Sequence, residues 1–208
     1  MMGELRFEDS HDVEDLWTYV TRARSLDADG AIRLRSHGMT LAAYVGVLPG
    51  RGLMTMGAII GLRVMALAEP ADVDVTVSLA SASERLARGG TSTFSIPPTT
   101  VQVGWAAMAP PRSGWEPVGE LSVADLRTAA IHGIAEIAHG VPEGSGAAVV
   151  ADLRHRVWAR DSPTTPPIPS GAAFAAYALG FLVPEHAQVY AHGHWTRLST
   201  ETGHVLIR

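Results

Sequence analysis

Three side chains on one predicted helix have the types and the spacing that could bind a metal ion. His132, Glu136 and His139 lie at about 0°, 40° and −20° around a helix with roughly 100° per residue, so they project from the same side. A Glu-x-x-His pair such as Glu136 and His139 is also typical of the inward faces of di-iron helical bundles. The pattern offers these residues as candidate metal ligands of a metal-dependent hydrolase.

The same pattern is also typical of the solvated face of an amphipathic helix. The predicted buried side lies about 180° away, and it consists of apolar residues throughout: Val123, Leu126, Ala130, Ile134, Ile137 and Val141. A metal centre would need ligands from a second element, and only Asp152 and His155 on the next predicted helix are obvious donors. The solvated face is therefore the favoured interpretation, and the metal site is the alternative.

A second pair of histidines is His192 and His194. On a continuous strand the two would share a face and could bind a metal. An alternating stretch followed by His-Gly also occurs earlier in the chain, at His37-Gly38. Because glycine accepts a positive φ and histidine is enriched there, both His-Gly pairs are predicted to form tight hairpin turns. The two histidines then straddle a turn, which disfavours a metal site.

Composition excludes several kinds of catalysis. The 208 residues contain no cysteine, which excludes thiolate nucleophiles, disulfides and zinc ribbons. All 16 basic residues are arginine, which excludes Schiff-base lysines and the Walker A phosphate loop. No serine lies in a Gly-x-Ser-x-Gly sequence. The sequence therefore favours a non-enzymatic protein without a cofactor, and it identifies no small-molecule ligand.

The sequence predicts a cytoplasmic protein without a membrane partner. The first ten residues contain no apolar signal segment. The longest apolar run, Ala172–Val183, is too short to span a bilayer and is interrupted by Gly180.

The first half of the chain is predicted to form one helix followed mainly by antiparallel strands. Ser10 is placed to cap the helix, whose apolar side consists of Val13, Leu16, Trp17 and Val20. Strands are predicted between residues 31 and 79, among them Leu53–Ala58. A short helix then ends at Gly89-Gly90, and one more strand is predicted at Val101–Trp105.

The second half is predicted to form three helices, at residues 123–139, 147–160 and 171–179, and a closing hairpin. The third helix contains no charged residue, so it is predicted to be buried on all sides. This order of elements is that of a winged-helix domain, which makes a transcriptional regulator a further alternative. The third helix lacks side chains that could read a DNA groove, and the net charge of −5 also disfavours nucleic acid as a partner.

These elements define an α+β fold, with an antiparallel β meander in the N-terminal half and three helices and a closing β-hairpin in the C-terminal half. The length suits a single domain over residues 1–208, and sub-domains at 1–109 and 110–208 are an alternative division. Charged residues make up only 18% of the chain, which favours a buried interface. The predicted function is therefore a binding or assembly protein that forms a homodimer, with the hydrolase and the regulator as alternatives.

Parts of the second half carry a family resemblance. Pro110-Pro-Arg-Ser-Gly-Trp-Glu-Pro-Val-Gly-Glu-Leu121, the helix after it and the ending Gly203-His-Val-Leu206 resemble uncharacterised conserved hypothetical proteins of high-GC actinobacteria. The absence of lysine and asparagine agrees with such an origin, because the codons of both residues are rich in adenine. The resemblance implies no activity, cofactor or site residue.

Overall fold

The computed structural model of the protein describes residues 3–50, 56–88, 92–141, 144, 146–183 and 185–208. The chain forms two compact units, the first from residues 1–49 and 60–109 and the second from residues 50–59 and 110–208. Helices and antiparallel strands occur together in the fold, which confirms the predicted α+β class. The predicted helix end at Gly89-Gly90 and the first half of the predicted strand Leu53–Ala58 lie outside the described residues.

The first unit combines two small sheets with two helices. Strands β1 (Glu4–Arg6) and β5 (Thr93–Ser95) pair antiparallel. The second sheet has the order β4-β2-β3, formed by β2 (Ala31–Leu48), β3 (Ile59–Ala71) and β4 (Asp74–Ser78). Helices α1 (Ser10–Leu26) and α2 (Leu79–Arg88) pack against each other.

The N-cap of helix α1 lies one residue earlier than predicted. Asp9 is the N-cap, and its carboxylate accepts hydrogen bonds from the backbone N–H groups of His11 and Asp12 at 2.7 and 3.2 Å. Aspartate is as good a cap as serine and also adds a negative charge at the positive end of the helix dipole. Trp17, which was predicted to lie on the apolar side, is 47% exposed, and Tyr19, which was not, is buried.

Strand β2 continues through the turn predicted at His37-Gly38, so that prediction was wrong. Gly38 has a φ of 57° within the strand, and the pairing of β2 with β4 ends at Arg35. Glycine adopts this backbone conformation without a Cβ clash, so the chain changes direction locally without ending the strand.

The strand predicted at Val101–Trp105 is also absent from this described part of the first unit. The N–H of Val101 donates to the Thr76 carbonyl at 2.9 Å, and the chain then forms a short 3-10 helix at Gly104–Ala107. Trp105 packs against Gly46, where an added Cβ would lie 2.5 Å from the indole Nε1. The close approach of this ring to the backbone of β2 favours a compact turn over an extended strand.

The second unit contains an antiparallel sheet in the order β9-β8-β7-β6. Its strands are β6 (Glu116–Ser122), β7 (His186–His192), β8 (Trp195–Thr200) and β9 (Gly203–Ile207). His192 pairs with Trp195, and Gly193 has a φ of 56°, so Gly193 and His194 form a two-residue hairpin turn. The predicted hairpin is present, but its turn lies one residue later than the predicted His192-Gly193.

Three helices complete the second unit: α3 (Val123–Gly140), α4 (Ala147–Ala159) and α5 (Ser170–Ala178). Every residue of α5 from Ser170 to Ala176 is buried, as its apolar sequence predicts. A helix enclosed in this way cannot enter a DNA groove, so the structure argues against the winged-helix alternative. Among the described residues, none of the helices is both long enough and apolar enough to cross a membrane.

Helix α3 buries most of the predicted side and departs from the prediction at Ile134. Its buried residues are Val123, Leu126, Ala130 and Gly133, and Ile134 is 39% exposed. At Gly133, Trp158 of α4 lies so close that an added Cβ would be 2.2 Å from its Cζ3 atom. Trp158 in turn stacks on Phe174 of α5, with ring centroids 4.5 Å apart and an interplanar angle of 16°. The glycine, which hydrophobic periodicity ignores, admits this ring against the helix.

Candidate functional site

An open groove of about 360 Å³, the α3 groove, lies between one side of α3 and residues 160–170. Its polar side chains on α3 are Asp125, Thr128, His132 and Glu136, and Arg160 and Ser170 contribute from the other wall. The four α3 residues are three or four positions apart, so they follow one line along the helix. Two of the three predicted ligands, His132 and Glu136, therefore border a groove rather than open solvent.

Residues 160–170 form one wall of the α3 groove because hydrogen bonds within the segment hold its backbone in a closed loop. The N–H of Ser170 donates to the Arg160 carbonyl at 2.8 Å, and the N–H of Ser162 donates to the Ile168 carbonyl at 2.8 Å. The hydroxyl of Thr164 donates to the Pro166 carbonyl at 3.0 Å. Ile168 is 1% exposed, so its side chain fixes the segment to the core.

The α3 groove carries one strong charge pair. Arg160 contacts Glu136 with both terminal nitrogens, Nη1 to Oε1 at 3.3 Å and Nη2 to Oε2 at 2.5 Å. The Arg160 hydrogen bond lowers the pKa of the Glu136 carboxyl, and Glu136 raises the pKa of Arg160. A general base works best with a pKa near the operating pH. The contact with Arg160 instead lowers the pKa of Glu136, further from neutral pH.

The predicted metal ligands do not come together as a centre. His139 is exposed and does not line the α3 groove, and its Nδ1 donates to the Ala135 carbonyl at 2.7 Å. On the next helix, Asp152 pairs with Arg156 at 3.3 Å. Within the part of the chain that the structure describes, no three His, Asp or Glu side chains are placed to hold a metal ion.

A second polar site, the Arg197 cluster, consists of Trp115, Tyr190, His192 and Arg197. The guanidinium of Arg197 lies 4.7 Å from the centroid of the Trp115 ring and 4.6 Å from that of the Tyr190 ring. His192 meets Trp115 edge-on, with ring centroids 5.9 Å apart. The arginine therefore makes cation–π contacts with two aromatic side chains, one in the loop before β6 and one on β7.

The hairpin β7–β8 and the loop before β6 position this cluster. Tyr190 and Arg197 are directly opposite each other in the ladder. The Trp115 Nε1 donates to the Pro111 carbonyl at 3.1 Å, and the His192 Nδ1 donates to the Gly114 carbonyl at 2.8 Å. Burial lowers the pKa of Arg197. The turn predicted at His192-Gly193 would set Tyr190 opposite Trp195, whereas the observed turn, one residue later, sets it opposite Arg197, so the sequence analysis missed this cluster.

The fold is similar to that of DNA polymerase sliding clamps. The whole chain (100%) aligns with 64% of the DNA polymerase III subunit beta from Pseudomonas aeruginosa, at 9% identity and a TM-score of 0.54. A putative DNA polymerase III beta subunit from Eubacterium rectale aligns over the same 100% and 64%, at 9% identity and a TM-score of 0.56. For the sliding clamp from Caulobacter crescentus, 99% of this chain aligns with 65% of that protein, at 9% identity and a TM-score of 0.53. The chain spans less than two thirds of these proteins, and the likeness concerns the fold.

By sequence, the chain belongs to the family described as a domain of unknown function, DUF8010, which matches residues 1–107. Residues 110–208 match a second such family, DUF8185. The curated proteins contain no match to the chain by sequence. An origin among high-GC actinobacteria stays a prediction.

Proposed function

We propose that this protein is a non-enzymatic binding or assembly protein that associates with a second copy of itself. The main support is the alignment of the entire chain with the fold of sliding clamps, described by name as subunits of DNA polymerase III. The low charge content of 18% points in the same direction, since interfaces between copies of a chain are poor in charged residues.

The α3 groove supports a non-enzymatic role over hydrolysis. A hydrolase that used Glu136 as a base would need its carboxylate free to accept a proton near neutral pH. Arg160 holds that carboxylate in its charged form through two hydrogen bonds. Breaking this contact would be a precondition for catalysis, whereas binding a polar partner leaves it intact.

The outer edge of the second unit's sheet is poorly suited to association by strand pairing. Strand β6 is the edge strand, and Pro117 offers no backbone N–H to a partner strand. The register shifts between Pro117 and Gly119, which interrupts the ladder. Exposed Glu116 and Glu120 add negative charges along the same edge. Self-association is therefore expected to use a helical surface.

Helix α3 offers such a surface in its α3 ridge, formed by Ile131 and Ile134. The two side chains are 50% and 39% exposed, and they are one turn apart on the helix. An apolar surface can pack against the same surface of a second copy. A two-fold interface between identical subunits requires such self-complementarity. We therefore place the contact between copies at the α3 ridge.

The association is tested by sedimentation velocity over a protein concentration range from about 1 to 100 µM, which brackets the affinities of weak dimers. Wild type is expected to sediment faster as its concentration rises. The double variant Ile131→Glu/Ile134→Glu is expected to remain a monomer with an unchanged melting temperature, because both side chains are exposed in the isolated chain.

The matched control is Val149→Glu on α4, a position that is 54% exposed and lies outside the ridge. It is expected to associate as wild type does. A wild-type monomer at every concentration would refute self-association. A double variant that associates as strongly as wild type would refute the placement at α3.

A further inference from the structure

Arg197 differs from Arg33, Arg63 and Arg160 in how its charge is neutralised. Those three arginines each bind a carboxylate, on Asp74, Asp15 and Glu136 respectively. Among the described residues, no oxygen accepts a hydrogen bond from Arg197, and the rings of Trp115 and Tyr190 lie over its guanidinium. Its Nε atom is completely buried without a partner, which costs stability. The side chain is otherwise partly exposed, so its two terminal nitrogens are the donors open to an acceptor from outside.

The two rings limit where an acceptor can meet the guanidinium. Trp115 and Tyr190 have their ring centroids 4.7 and 4.6 Å from the guanidinium carbon, and the side chain is partly exposed, so the edge formed by the two terminal nitrogens is the part that a ligand can contact. A planar oxyanion approaching this edge can accept two parallel N–H···O bonds. Partial desolvation by the rings strengthens such charge-assisted bonds relative to those at an open surface. Burial also lowers the pKa of Arg197, as expected for a cation without a counterion.

The surroundings favour a single carboxylate over a polyanion. Glu116 follows Trp115 directly in the chain, Glu120 lies further along β6, and both are exposed. The net charge of the protein is −5, so a nucleic acid backbone would meet overall repulsion. One cation with one open edge matches one carboxylate in charge and shape.

We propose that the Arg197 cluster is a carboxylate-binding site, in which Arg197 binds the two oxygens of one carboxylate while Trp115 and Tyr190 hold the guanidinium plane in place. The ligand is a peptide carboxylate or a free carboxylic acid of low molecular weight. The site does not depend on the self-association proposed above, since it involves none of the α3 ridge.

The test uses the full chain labelled with ¹⁵N in arginine and tryptophan side chains. The probes are N-acetylglycine, which presents one carboxylate, its amide N-acetylglycinamide, which presents none, and inorganic phosphate. N-acetylglycine is expected to shift the Arg197 Nε–Hε and Trp115 Nε1–Hε1 signals in a saturable manner, and the amide is expected to leave both unchanged. A seven-residue peptide with a free C-terminus is compared with N-acetylglycine. If the peptide binds at least about tenfold more tightly than N-acetylglycine, the natural carboxylate belongs to a peptide. If the two bind equally, it belongs to a small acid.

Arg197→Gln is expected to weaken N-acetylglycine binding roughly 10- to 100-fold, from the usual strength of a hydrogen bond to a charged group. The matched control is Arg154→Gln, which removes an exposed arginine on α4 and is expected to change the affinity less than about twofold. Arg197→Lys keeps the charge but loses the planar fork, and it replaces Arg197→Gln as the diagnostic variant if the latter unfolds.

Three results would overturn the carboxylate site. One is the absence of a saturable shift in wild type with N-acetylglycine. Another is an undiminished shift in Arg197→Gln, or in Arg197→Lys if that variant is used. The third is tighter binding of phosphate than of N-acetylglycine, which would make the cluster a phosphate site instead.

Discussion

Replacing Gly133 by alanine tests how α3 packs against α4. In an exposed helix this substitution stabilises a protein by about 1 kcal/mol, because alanine is the better helix former. Here the added Cβ would lie 2.2 Å from Cζ3 and 2.7 Å from Cη2 of Trp158. Ordinary contacts begin at 3.4 Å, so the ring or the helix must move by roughly 1 Å to admit the methyl group.

Trp158 has little freedom to move. It is 2% exposed and stacked on Phe174 at 4.5 Å. Overpacking of a core costs about 1–3 kcal/mol, and a disturbed aromatic pair costs about 0.5–1.5 kcal/mol more. After subtraction of the gain in helix propensity, we expect Gly133→Ala to lower the free energy of unfolding by about 1–3 kcal/mol. For a chain of this length the melting temperature should fall by roughly 3–10 °C.

The assay is thermal and urea-induced unfolding of wild type and variants, with Gly140→Ala as the control. Gly140 is in the same helix, and its added Cβ would meet only the flexible end of Leu153, at 3.0 Å from Cδ2. This control should stay within about 0.5 kcal/mol of wild type. Adding Trp158→Leu should remove most of the penalty of Gly133→Ala in a double-mutant cycle. If Gly133→Ala is instead as stable as wild type or more stable, the packing argument is refuted.

Two further predictions concern the first unit. Burial raises the pKa of Tyr19 well above its usual value, so its contribution to stability is complete below pH 10 and declines as the pH rises from there towards the raised pKa. Between pH 10 and 11 wild type should lose up to about 1.4 kcal/mol more than Tyr19→Phe in urea unfolding, and equal losses would contradict the assignment. Arg33 binds Asp74 with Nε at 2.7 Å and Nη2 at 2.8 Å and also donates to the Ala106 carbonyl at 2.6 Å. Lysine cannot reproduce this fork, so Arg33→Lys should cost about 1–2 kcal/mol, whereas Arg35→Lys, whose Asp74 contact is 3.5 Å long, should cost clearly less.

Features that depend on local sequence were predictable. The run from residue 171 to 179 is apolar on every side, and helix α5 is buried as expected. The hairpin near His192 follows from glycine chemistry, and the structure has its turn one residue later than predicted. Ser122, a residue type typical of helix N-caps, caps α3 by accepting from the N–H of Ala124 at 3.2 Å. In each case a few neighbouring residues contain all the information that the structure uses.

Features that depend on distant residues were not predictable. The packing of α3 at Gly133 depends on Trp158, 25 positions later, and a periodicity of apolar residues gives no weight to a glycine. The alternation of apolar residues at Val101–Trp105 does not distinguish a strand from an extended segment, and here the N–H of Val101 donates to the Thr76 carbonyl outside any strand. The order strand, helix, three strands occurs in both units, with α4 and α5 intervening in the second. No repeat in the sequence accompanies it.

The candidate site also combines features that local sequence predicts with features that depend on distant residues. His132 and Glu136 were placed correctly on one side of α3, because helical spacing determines which residues share a face. The groove itself needs residues 160–170, whose position follows from tertiary packing of Ile168. The partner of Glu136 is Arg160, an arginine 24 positions away. Its effect on the carboxyl pKa could not be read from the sequence.

Pro117 and the register shift beside it also affect how the protein behaves when it is concentrated or partly unfolded. Exposed sheet edges are where foreign strands attach and aggregates grow, and many proteins protect them with lysine. This chain has no lysine, and its arginines pair or stack readily with other groups. A proline without an N–H and two glutamates on β6 supply that protection instead. Replacing Pro117 by a β-branched residue would remove a barrier to aggregation, so this single position is expected to affect solubility more than stability.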